Sequence, residues 1–196
     1  MATYRGIEAT CQAVAGLLRD NYDPTAFNRD LDFQVLSTGA FTAGLNAGVS
    51  VFLYRIMVND AHRTPPGRRT DTGALTHTQL PVDLHLILTA WAPEASLQQV
   101  IAGWMMRTLE DNRILPPGLL NRMLGGVFRD DEAVELLTGD MVTEDLLHLW
   151  EVLGTGHYQL SVPYVARNVR IESHREIDVG ALVQERTTHY AVPEWS

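Results

Sequence analysis

The sequence predicts an α+β domain: a mostly antiparallel sheet built around a long central hairpin, with helices packed on it. Two observations carry this expectation. Residues 49–58 and 80–91 are long, largely apolar runs with the alternation of strands, and they follow one another in the chain. Residues 93–110 and 143–153 instead repeat their apolar positions at helical spacing, as helices that bury one face do.

Residues 3–20 read as a first helix, with Ile7, Val14, Leu17 and Leu18 at helical spacing and Thr3 as its N-cap. Asn21-Tyr22-Asp23-Pro24 ends it, because the residue before a proline avoids the helical region. Residues 32–38 form a short strand in which Phe33 and Val35 alternate with polar neighbours. Residues 38–48, rich in glycine and alanine, read as a turn or irregular connection. In 49–58, Val51, Leu53 and Met57 line one face, and Phe52, Tyr54, Ile56 and Val58 the other. Two apolar faces predict a central strand covered on both sides, on which Arg55 needs a partner or an edge.

Residues 59–79 hold Pro65-Pro66-Gly67-Arg68-Arg69 and Asp71-Thr72-Gly73 without periodicity. They are expected to be the extended tip of the hairpin, and an aperiodic loop of this length is usually functional or disordered. In 80–91, Val82, Leu84, Leu86 and Leu88 alternate with Asp83, His85, Ile87 and Thr89. The helix of 93–110 carries a stripe of Leu97, Val100, Ile101, Trp104, Met105 and Leu109, and Glu94 in its first turn suits the helix dipole.

Residues 112–120 are a loop around Pro116-Pro117-Gly118, and 134–138 a short strand. Thr143 caps the helix of 143–153, Gly154 ends it, and Leu146, Leu147, Trp150 and Leu153 face inward. Residues 158–171 are the last strand, where Pro163 points to an edge or a bulge. Residues 1–172 thus make one domain, and 173–196 a polar arm with an aromatic end.

Composition narrows the function. With 196 residues, 45% of them hydrophobic, the chain can bury a core without disulfides or metals. The single cysteine, Cys11, rules out an internal disulfide and fits a reducing cytoplasm. Arg5, Glu8 and Arg19 interrupt the first twenty residues, so no signal peptide is expected there. No apolar run is long enough for a membrane-spanning helix. The net charge of −9, with no basic cluster beyond Arg68-Arg69, argues against nucleic acid as a partner. All fifteen basic residues are arginines, whose planar fork suits ion pairs at interfaces.

Few residues fall in a pattern that an active site would need. Asp83 and His85 share a strand face and could begin a metal site, but no third ligand stands near them in sequence. Ordinary alternation of polar and apolar residues accounts for them better. His148 and His157 flank a helix end as structural histidines. Gly125-Gly126 lacks the lysine of a phosphate loop, and no Gly-x-Ser-x-Gly elbow occurs. Cys11 sits among apolar residues as a small hydrophobe. Glu110-Asp111 reads as a solvated helix end, and Asp130-Asp131-Glu132 lacks the spacing of a calcium loop. No enzyme and no cofactor are expected.

Several strings, taken in order, resemble one family. They are Val51-Phe-Leu-Tyr54-Arg-Ile-Met-Val58-Asn59-Asp60 with Arg63, and Leu80-Pro-Val-Asp83-Leu84-His85-Leu-Ile-Leu88-Thr89-Ala90-Trp91. Met106-Arg107-Thr-Leu109-Glu-Asp111-Asn112, the helix Thr143-Glu-Asp-Leu-Leu-His-Leu149-Trp150, and Tyr158-Gln-Leu160-Ser161-Val162-Pro-Tyr164 complete them. Together they resemble the tail-terminator, or cap, proteins of extracellular contractile injection systems of the antifeeding-prophage and virulence-cassette type. The sequence departs from the family at Leu86, where a larger residue is usual, and at Asn59-Asp60, where the turn is usually Glu-Asn.

The resemblance implies a structural protein: a hexameric ring at the end of the tail opposite the baseplate, stopping tube growth and anchoring the last sheath layer. Its partners would be copies of itself and the tube and sheath proteins. It would be cytoplasmic during assembly and extracellular in the released particle. The expected interface residues are Arg63, Arg68, Arg69 and Asp71 in the hairpin tip, and His174 and Arg175 in the arm. Two alternatives stay open, a tail-completion or connector protein of a contractile phage and a metal-dependent hydrolase centred on Asp83 and His85.

Overall fold

The structure, a computed structural model, describes residues 3–62, 73, 75–154, 158–173, 175 and 177. Its centre is a six-stranded sheet: β1 (Asp32–Val35), β2 (Gly48–Val58), β3 (Leu80–Trp91), β4 (Ile114–Leu115), β5 (Val134–Thr138) and β6 (Ser161–Ile171). The spatial order is β1-β2-β3-β6-β5-β4, and every neighbouring pair is antiparallel except β1 with β2. The α+β class and the central β2–β3 hairpin are as expected.

Helices cover both faces. Helices α1 (Gly6–Asp20) and α4 (Ala95–Asp111), with the short α5 (Pro117–Leu120), share the main core with Val49, Val51, Leu84, Leu86 and Leu88. The alternation of β3 explains this, since its even-numbered residues point to one face. The odd face, with Phe52 of β2 and Trp91 of β3, forms a second cluster with Leu36, Phe41, Trp150 and Leu153. Phe41 comes from α3 (Thr38–Ala43), while Trp150 and Leu153 come from α6 (Thr143–Leu153). Another short helix, α2 (Pro24–Phe27), is capped by the Asp23 carboxylate, which accepts from the Thr25 amide.

Several expectations are corrected. The first helix starts at Gly6, because Thr3 closes a preceding turn, its carbonyl accepting from the Gly6 amide and its hydroxyl from the Arg5 amide. The segment read as irregular contains α3: burial of Phe41 against Phe52, Trp91 and Trp150 outweighs its glycine content. The first strand stops at Val35, and residues 112–120 hold β4 and α5. The N-cap of α6 is Val142 rather than Thr143, and β6 starts at Ser161. Val100 and Leu147 are exposed, because α4 and α6 each pack one narrow stripe on the sheet.

Pro163 does not mark an edge, since β6 lies between β3 and β5. Its carbonyl accepts from the Gly139 amide, so its nitrogen faces the same flank, where β5 has ended at Thr138. The missing N–H therefore removes no ladder bond.

Cys11 is buried on the core face of α1, and burial pushes its thiol up to about 12. Thiolate is the reactive form, so the native chain should resist a maleimide at neutral pH and label fully once unfolded. Mass spectrometry before and after denaturant reads this directly; rapid native labelling would contradict the burial.

Candidate assembly surface

β2 and β3 are much longer than β1, and this mismatch creates the surface. β1 pairs with residues 48–51 of β2, and one further bond, from the Leu36 amide to the Val51 carbonyl, ends the ladder. Beyond it, the outer edge of β2 has no strand beside it among the described residues. The sequence predicted a strand covered on both sides, but only its first half is. Ile56, Met57 and Val58 are 47%, 39% and 45% exposed, and Leu80 across the hairpin is 39% exposed. Exposed apolar residues gathered on one blade make it a candidate for contact with another molecule.

Two bulges aim the blade. In β2 the register shifts between Leu53 and Arg55, leaving Tyr54 as the extra residue. Arg55 is thereby turned to the second face, opposite His85, and not to the face of Val51 and Leu53 that simple alternation predicted. In β6 the shift lies opposite Asp83, and Asn168 adopts a left-handed backbone with φ of 60°.

Asp83 holds this second bulge together. One carboxylate oxygen accepts from the Asn168 amide at 2.8 Å and the other from the Asn59 side chain at 2.9 Å. The carboxylate that suggested a metal ligand is thus committed to the β6 backbone and the Asn59 side chain. No cluster of three metal-ligating side chains occurs among the described residues.

His85 faces a cleft of about 440 Å³ between the blade and α6, lined also by Tyr54, Arg55, Asp140, Asp145 and His148. Its ring meets the edge of Tyr54, with centroids 5.9 Å apart. Burial, reinforced by the Arg55 charge and opposed by Asp83, holds its pKa below the ordinary value. The folded state therefore favours the neutral ring. This stability is complete above the ordinary histidine value of about 6.5 and is lost as pH falls through the lowered folded value. Melting temperatures between about pH 5 and pH 8 should fall on the acid side, and less steeply for His85→Gln. Equal slopes for the two proteins would contradict this.

The base of the hairpin is tied to the segment after β6. The His77 amide donates to the Arg175 carbonyl at 3.1 Å, and the Ile177 amide to the Leu75 carbonyl at 2.6 Å. Just inside, Glu172 is buried, its side chain 3% exposed. One oxygen accepts from Gln79 at 2.7 Å and the other from Arg129 at 2.9 Å.

Of the residues expected from sequence at an interface, Arg63, Arg68, Arg69, Asp71 and His174 lie outside the described residues. Arg175 is described and exposed, and its main chain bonds Ser173 and His77. The apolar blade itself was missed. The available signal was the short first strand, which cannot flank the whole of an eleven-residue β2.

The model of the Pvc16 N-terminal domain family matches residues 9–185. Among solved structures, the chain is similar to the PVC sheath/tube terminator of an extracellular contractile injection system in its extended state. Identity is 18% and the TM-score 0.64, over 95% of this chain and 63% of that one. It is also similar to the tube terminating cap of the anti-feeding prophage, at 18% identity and a TM-score of 0.59, over 91% of this chain and 59% of that one. This chain therefore corresponds to less than two thirds of either protein, and at such identity the likeness establishes a shared fold. No curated protein matches it in sequence.

Proposed function

Because this chain belongs to the Pvc16 N-terminal domain family, we propose that it is a structural cap ending the tail of a contractile injection particle. In this reading copies of the chain form a hexameric ring on the last tube layer, stop tube growth and anchor the last sheath layer. The ring assembles in the cytoplasm and leaves with the particle, and the cap carries no catalysis and no cofactor.

The observation that supports this most is the shared fold with two tail terminators across nearly the whole chain. The blade of β2 and β3 agrees with it physically, since a ring needs heterologous contacts that close under rotation. The arm from residue 173 onward and the arginines of the hairpin tip are the further contacts of this reading. A hydrolase reading is weakened by Asp83, whose two oxygens are already occupied by Asn168 and Asn59.

Gold labelling of an epitope-tagged chain tests the placement. Label at one end of each particle, opposite the baseplate, is the expected result. Label along the sheath, or none on particles that are otherwise complete, would overturn it.

A further inference from the structure

The open edge of β2 has a defined polarity. The Val51 carbonyl points outward to β1, so the main chain of Leu53 also points outward, since alternate residues share a flank. At the other end the Asn59 amide donates inward to Pro81, so Val58 and Ile56 present their N–H and C=O groups outward. Tyr54, as the bulge residue, reconciles the two phases. The edge therefore offers outward pairing groups at Leu53, Ile56 and Val58, and exposed apolar side chains at 56, 57 and 58 on both faces. Past the bulge its one charge is Arg55, at the start of the open stretch, and residues 56–58 carry no lysine, proline or charge of the kind that protects free edges.

At its Leu53 end the edge runs into a groove of about 750 Å³ between α1 and the end of β1. Its walls include Ile7, Leu36, Phe52 and Leu53, and it is also lined by Arg5 and Glu8. The apolar walls suit an aromatic side chain, and Arg5 at the rim can pair with an acidic one beside it.

This chain contains a segment of matching chemistry. Residues 187–192, Thr-Thr-His-Tyr-Ala-Val, are rich in the strand-favouring types Thr, Tyr and Val and are as many as the residues from 53 to 58, and Pro193, Glu194 and Trp195 follow them. Laid antiparallel on β2, the run would start opposite Val58 and deliver Glu194 and Trp195 to the groove and Arg5. The last described residue before the run, Ile177, is held to Leu75 on the β3–β6 side of the hairpin, whereas the open edge lies on the far side of β2. Donor and acceptor on opposite flanks make a head-to-tail contact, the type that closes a ring.

We propose that the outer edge of β2 takes residues 187–192 of a neighbouring copy of this chain as an added antiparallel strand. This inference rests on the ring of the proposed function and names the contact that joins its subunits.

The test uses the full chain in assembled particles, carrying Met57→Cys and Thr188→Cys and treated with a short bismaleimide. Cys11 is buried and does not compete. The expected result is a ladder of linked subunits on a denaturing gel. Cap present in the particles without linkage would overturn the contact and leave the ring standing. Linkage confined within single subunits would overturn it equally, because the strand would then be the chain's own. Particles that never contain the chain would bring down the function and the contact with it.

Val58→Pro supplies the second variant. It removes one outward N–H and leaves the β2–β3 ladder whole, as proline on an edge strand can. In the double-cysteine chain it should lower linkage at least about tenfold, the loss expected of one hydrogen bond with its packing. The melting temperature should be unchanged. Undiminished linkage in this variant would contradict the proposal.

Discussion

Glu172→Ala is expected to destabilise the domain by about 3 kcal/mol, lowering its melting temperature by roughly 6–12 °C. The reason is the charge left behind. The carboxylate is almost wholly buried, and it is the group that pairs with Arg129 and accepts from Gln79. Arg129 is itself only 24% exposed, so the charge left behind would be largely out of water. Glu172→Gln keeps an acceptor and the shape and should lose about half as much, because a neutral hydrogen bond replaces a charged one. Calorimetry on the three proteins ranks them. An alanine variant that melts with the parent would show that the pair is solvated. The effect also reaches the assembly surface, since Glu172 lies where the chain leaves β6 toward the hairpin base.

Gly48→Ala should be at least as damaging, costing about 4 kcal/mol through strain at a conformation that only glycine adopts freely. Gly48 has φ of 142°, and a Cβ there would stand 1.9 Å from the carbonyl oxygen of Asp32. That oxygen is backbone, so the clash can be relieved only by pulling β1 away from β2. Gly39 is the control, because a Cβ there meets nothing within 4 Å and alanine favours the helix it sits in. Urea melts should separate the two by several kcal/mol; similar midpoints would contradict the close approach of β1 to β2.

The sequence was most informative where burial follows a simple period. In β3 the even residues Val82, Leu84, Leu86 and Leu88 are all buried in the main core, as alternation requires. β5 spans the expected 134–138, and α6 ends at Leu153 before Gly154 as expected. It was least informative where tertiary contacts decide. α3 exists because one phenylalanine reaches an aromatic cluster built from three distant parts of the chain. The bulge at Tyr54 reverses the phase of β2, so counting by twos put Arg55 on the wrong face. Asp83 offered a possible metal ligand because His85 follows it on the same strand face. Its role as acceptor for a left-handed asparagine 85 positions away is invisible without the fold.

The candidate surface shows the same limit. Ile56, Met57 and Val58 read as core because they are apolar, and nothing local reveals that β1 stops short of them. The strings that resemble tail-cap proteins were legible because they span the β2–β3 hairpin and β6, which form the middle of the sheet.

The central claim, that this chain ends a tail, is tested most directly by deleting its gene and measuring tube and sheath lengths by electron microscopy. The account predicts tails of irregular length with open distal ends, or tubes from which the sheath has slipped. Tails of normal, uniform length with an intact distal end would contradict it.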